Sequence, residues 1–194
     1  QFGLQNLPGD IKYADIDGDG VITIQDQKVI SDYGNEPRIM YGINGSLSWK
    51  NIDMNFFFQG AAQRNIMLTG SGRVLFLNGG SSNNFSYFND SWSVDNPDGK
   101  YPLAWVDSRS INNRDSNFWL RNAGYVRLKS LDLGYNFSGD WLEKIKVNKM
   151  RLYVSGFNLF TISEIKELDP EAATGAGNYY PQQRNYNLGV TLSF

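Results

Sequence analysis

The sequence has 194 residues and a mass of 22.0 kDa, with 18 Lys plus Arg against 20 Asp plus Glu, a formal net charge of −2 and a pI near 5.1. That balance excludes a bulk attraction to nucleic acid or to an anionic surface. Cysteine and histidine are both absent, which excludes disulfides, thiolate and imidazole metal sites and Ser-His-Asp chemistry. Carboxylate chemistry, oxygen-ligand metals, aromatic stacking and structure remain.

Aromatics make up 14% of residues, yet the mean hydropathy is −0.43. No apolar run reaches the roughly 18 residues of a membrane-crossing helix. Many aromatics without long apolar runs point to β structure with alternating faces. Gln1 is followed by no charged-then-apolar leader, so the chain reads as an internal fragment or as one whose leader has been removed.

The first element is acidic. In Asp15-x-Asp17-x-Asp19-Gly20-x-Ile22-x-x-x-Asp26, three carboxylates alternate and a glycine stands at the sixth position. This pattern lets a loop wrap a hard cation, so the expected ligand set for Ca2+ is Asp15, Asp17, Asp19, the Val21 carbonyl, Thr23 and Asp26. Asp26 is shorter than the bidentate Glu usual at the twelfth position of an EF-hand, which makes the loop more dockerin-like. The competing reading is a Gly-Asp turn in which Thr23 and Asp26 cap a helix over Ile24 to Ser31.

Five alternating segments follow. From Ile39 to Trp49, one face carries Ile39, Tyr41, Ile43, Gly45, Leu47 and Trp49, and the other Met40, Gly42, Asn44, Ser46 and Ser48. Lys50-Asn51 makes a tight turn into a second strand, with Ile52, Met54, Phe56 and Phe58 on one side. The third runs from about Gly124 to Phe137, and the fourth from Lys149 to about Phe160. Between them lies a short connection with a helical turn near Trp141 to Ile145. In the last strand Tyr186, Leu188, Val190, Leu192 and Phe194 oppose Asn187, Gly189, Thr191 and Ser193.

The connections are unequal. Two are short, whereas about 60–123 and 161–183 are long and irregular. Antiparallel strands joined in sequence put all short turns at one end and all long loops at the other. That is the pattern of an outer-membrane β-barrel, and long loops are uncommon in compact soluble domains. A soluble sandwich with one wet face is the alternative. Five strands cannot close a lumen, and an open edge in lipid costs several kcal/mol per unpaired group, so the remaining wall must be other polypeptide.

Several stretches carry a further resemblance. Pro8-Gly9-Asp10-Ile11-Lys12-Tyr13 leads into the acidic loop, and Tyr125-Val126-Arg127-Leu128-Lys129-Ser130-Leu131-Asp132-Leu133-Gly134-Tyr135 follows later. Leu152 to Thr161, Asp169-Pro170-Glu171 and Tyr180 to Gly189 complete the series. In this order they resemble the C-terminal region of the SusC/RagA family of TonB-dependent outer-membrane transporters of Bacteroidota. The resemblance implies a parent with a twenty-two-stranded barrel, an N-terminal plug and a TonB-contacting segment. It also implies a SusD-like surface lipoprotein over the extracellular mouth, and import of oligosaccharides or peptides. On that reading residues 1–37 form an extracellular loop with the calcium site. Residues 38–194 form the last part of the barrel, with both long loops outside, the terminus in the periplasm and the apolar face in outer-membrane lipid. The terminal strand ending in Phe194 resembles the signal read by the barrel-assembly machinery.

Exposed loop aromatics (Phe76, Phe85, Tyr87, Phe88, Trp92, Tyr101, Trp105, with Tyr179 and Tyr180) would either stack on sugars or a partner or build the loop's own core. Asp90, Asp95, Asp98 and Asp107 could suggest a glycosidase pair, but scattered loop carboxylates are far more often solvated and no acid–base pair is placed, so no enzyme is expected. Two functions remain: a segment of a nutrient importer, or a soluble calcium-stabilised module that binds carbohydrate.

Overall fold

The computed structural model describes residues 1–106 and 109–194. Its strands are β1 (Ile39–Trp49), β2 (Ile52–Ala62), β3 (Asn65–Met67), β4 (Leu120–Asn122), β5 (Tyr125–Phe137), β6 (Lys149–Ser163) and β7 (Asn185–Ser193). One short helix, α1 (Asp140–Lys144), lies between β5 and β6. Two compact units account for the chain.

The first unit is the sheet, built from residues 37–64, 123–164 and 180–194. Its order is β1-β2-β5-β6-β7, antiparallel throughout. All five strands stand where the alternation places them, because period-two patterning is the strongest local signal a strand has. Lys50 takes a left-handed φ of 53° to close the two-residue turn between β1 and β2. The register skips once in β5, where Lys129 is passed over between Leu128 and Ser130. Opposite it in β6 lie Asn158, at a φ of 54°, and Leu159. This bulge keeps Phe58, Leu128 and Phe160 level with one another across three strands.

The second unit comprises residues 1–36, 65–122 and 165–179. Apart from the β3–β4 pair it is made of turns and short 3₁₀ segments. The long excursion after β2 is therefore a folded body. Leu68, Ile111, Trp119 and the polar Asn112 are its fully buried side chains, joined by Ile66, Leu75, Phe88, Ile165, Leu168 and Ala172.

Candidate functional site

The acidic loop is braced by its own backbone. Asp15 accepts the amides of Gly18 (2.6 Å) and Gly20 (2.8 Å), Asp17 that of Asp19 (3.2 Å), and Asp19 that of Val21 (2.7 Å). Gly18 and Gly20 sit at φ of 79° and 83°, a region that favours glycine, which is why both turns carry one. The result brings one carboxylate oxygen each from Asp15, Asp17 and Asp19 within 4.8 Å of one another, on the surface. Three like charges at that spacing repel, and a hard cation among them would offset the repulsion.

Asp26 takes a different post. Its carboxylate spans the loop, accepting the amides of Ile16 (2.6 Å) and Thr23 (2.7 Å), and is not among the converging oxygens. The Thr23 amide, then the Ile16 amide, hold its carboxyl below the usual carboxylate range. Thr23 Oγ1 accepts the Gln25 amide at 3.1 Å. No helix follows: residues 24–31 are irregular, so the capping alternative lacks the helix it needs.

The sheet has two chemically distinct faces. Reading across all five strands, Leu47, Met54, Leu133, Val154 and Leu188 form one row. The adjacent row is Ser46, Asn55, Asp132, Ser155 and Asn187. The apolar face is uncovered: Ile43 is 62%, Val154 48% and Leu188 74% exposed. On the polar face Arg151 donates to Asp53 (Nε 3.1 Å) and also pairs with Asp132, while Asn136 Nδ2 donates to Asp53 at 2.6 Å. The guanidinium lies directly over Gly134, where any Cβ would collide with it.

Most loop aromatics build a core. Phe85 stacks on Tyr87 with centroids 5.4 Å apart, and Tyr87 lies 4.6 Å from Phe88 and 5.1 Å from Tyr101. Tyr101 continues the series to Trp119 at 6.4 Å. Burial first, then the nearby Glu167 carboxylate, pushes the Tyr101 phenol up to about 12. Phe76 is half-buried, and Trp92 packs against Gly9. The Tyr179 hydroxyl accepts the Asp169 amide at 2.7 Å. Only Trp105 and Tyr180 of the set are exposed. Asp90 lies 3.6 Å from Lys100, Asp95 and Asp98 are exposed, and Asp107 lies outside the described residues.

Three groups of polar contacts gave no pattern in the sequence. Asn112 accepts the Ile11 amide (2.8 Å), donates to Asp10 (2.9 Å) and offers its carbonyl to Trp119 Nε1 (2.7 Å). Arg109 Nε lies 3.2 Å from Asp10. Glu167 receives Arg121 Nε at 2.6 Å and the Tyr101 hydroxyl at 3.0 Å. Burial raises the Glu167 pKa, but its hydrogen bonds, the one from Arg121 foremost, outweigh burial and leave it below the usual range.

No protein-family model matches the chain. It is 33% identical over 96% of its length to TonB-dependent receptor P3 of Formosa agariphila, covering 19% of that protein. It is 25% identical over 94% of its length to TonB-dependent receptor SusC of Bacteroides thetaiotaomicron, covering 17%. A chain of the RagAB peptide importer in its closed-closed state superimposes with a TM-score of 0.63 at 25% identity, over 94% of this chain and 20% of that one. The chain thus spans about a fifth of the length of the curated relatives it matches. These relatives are receptors and transporters, not enzymes.

Proposed function

As a segment of the SusC/RagA type of TonB-dependent receptor, the chain has a place in a larger body, and we propose that it supplies five wall strands and an extracellular unit to an outer-membrane importer. The observation that carries this reading is the uncovered apolar face, continuous across five strands whose two outer members, β1 and β7, each have one edge with no strand partner among the described residues. Lipid would cover that face, and further strands of the parent would pair with both edges. The polar face, with Arg151 held between Asp53 and Asp132, would look into the lumen. The short turns would face the periplasm and the long excursions the outside. The parent would take up oligosaccharides or peptides with a SusD-like lipoprotein and energy delivered through TonB. The peptide importer among the solved relatives supports peptides within this class of cargo.

The test is accessibility in cells that carry the whole receptor. Asn187→Cys should react with a membrane-impermeant maleimide reagent once the lumen is opened to it. Its neighbour Leu188→Cys should react only after detergent extraction. Equal labelling of both in intact membranes would sink the reading.

The acidic loop would hold Ca2+, with Asp15, Asp17 and Asp19 as carboxylate ligands, the Val21 carbonyl and Thr23 beside them, and Asp26 as the brace. Support comes from the three converging oxygens and the two left-handed glycines. Chelation should raise amide exchange over residues 10–32 and leave β1 to β7 protected. Identical exchange with and without calcium would remove the site.

A further inference from the structure

Strand pairing leaves the connection between β5 and β6 only partly explained. Its inward residues, Leu142 and Val147, are buried, and the backbone is clasped by bonds from the Val147 amide to Leu142 O (3.0 Å) and from the Asn148 amide to Ser193 O (2.7 Å). Two apolar side chains point the other way. Trp141 is 44% and Ile145 is 54% exposed. Four residues apart, they share one side of the helical turn.

That side continues the apolar face of the sheet. Tyr135 and Phe137 occupy alternate, same-face positions of β5, and their rings meet edge-on at 4.9 Å. Phe137 meets the Trp141 indole edge-on at 6.1 Å. An aromatic ladder therefore runs off the end of the strand into α1. In register, Phe137 is level with Met150 and Leu192, so Trp141 and Ile145 follow the last apolar row of the wall. At the same end Trp49 is exposed and Lys50 Nζ lies 4.7 Å over its ring. The two short turns carry Lys50, Lys144 and Lys146 against Asp140 and Glu143.

Rings with one apolar and one polar side, set beside ammonium groups at the limit of an apolar band, match the boundary between acyl chains and phosphates. We propose that α1 is an interfacial anchor: Trp141 and Ile145 enter the acyl-chain boundary of a phospholipid leaflet, and Lys50, Lys144 and Lys146 meet its phosphates. A sheet edge ending in a plain polar turn would need neither the indole nor the isoleucine outside the strand. The proposal rests on the barrel-wall reading and adds to it a surface beyond the strands, with phospholipid headgroups as the partner.

The chain contains no cysteine, which simplifies the test. In the whole receptor, freed of any other cysteines and reconstituted in phosphatidylethanolamine–phosphatidylglycerol nanodiscs, single spin labels go at Trp141→Cys, Ile145→Cys and Glu143→Cys. Labels at Val154→Cys and Leu188→Cys report the wall itself. The ratio of oxygen to nickel-chelate accessibility should be several-fold higher at 141 and 145 than at 143, and highest at 154 and 188. Lipid-like values at 154 and 188 with water-like values at 141 and 145 would overturn the anchor and spare the wall. So would exclusion of both reagents from 141 and 145, which would mean that protein covers α1. Water-like values at 154 and 188 would overturn the wall as well. Should Trp141→Cys fail to assemble, Ile145→Cys, on the exposed side of the turn, decides the matter alone.

Discussion

Arginine at Val154 measures which side of the sheet meets lipid. Met150 stands level with Phe137 and Leu192 near the short-turn rim. Val154 lies four residues further along β6. At ~3.3 Å per residue and a tilt of ~40°, that is roughly 10 Å along the barrel axis. An apolar band of about 25 Å puts the residue close to the midplane, where Arg costs about 2–4 kcal/mol. Leu152, two residues nearer the rim at roughly 5 Å, should cost about half as much by the same depth dependence. Ser155, next in sequence but on the opposite face beside Asp132 and Asn187, should accept Arg at a cost below about 0.5 kcal/mol, as for a solvated position. Urea unfolding of the whole receptor in phosphatidylcholine vesicles reads all three. The expected order is Val154→Arg, then Leu152→Arg, then Ser155→Arg near wild type. A large cost at Ser155 with none at Val154 would mean that the polar face is the covered one, and the assignment of faces would fail.

Other outcomes follow from the loop unit. Asn112→Ala removes a buried amide that serves Ile11 and Asp10 and leaves both without that partner, so it should destabilise this unit by about 2–3 kcal/mol. Limited proteolysis should then cut within residues 1–36, and an unchanged digestion pattern would contradict the role. Acid should loosen the same unit. The Glu167 pKa is lowered by folding, so its contribution is present above the ordinary value of 4.5 and is lost as pH falls through the lower folded value. Amide exchange over residues 165–179 should rise in that range, and Glu167→Gln should flatten the dependence. Acid sensitivity undiminished in that variant would assign it to another group. Arg151→Met leaves Asp53 and Asp132 without their shared cation on the polar face, at a cost of about 1–3 kcal/mol. Adding Asp53→Asn should recover part of that loss, and no recovery in the double variant would argue against the pairing.

All five long strands, both short turns and the division into an oily and a wet face were legible in the residues, because each depends on neighbours one or two positions apart. The acidic loop was legible for a similar reason: its carboxylates and glycines fall within twelve positions, from Asp15 to Asp26. What Asp26 does was not legible, since a carboxylate at that spacing can turn inward to a cation or brace the amides of Ile16 and Thr23, and only the backbone path chooses. The β3–β4 pair escaped because strands of three residues carry too little alternation to register. The core of the long excursion escaped because its contacts join Asp10 to Asn112 and Arg121 to Glu167, which are 102 and 46 residues apart. Period and spacing describe a side chain's direction from its own backbone; which distant group it meets is decided by how the chain closes on itself.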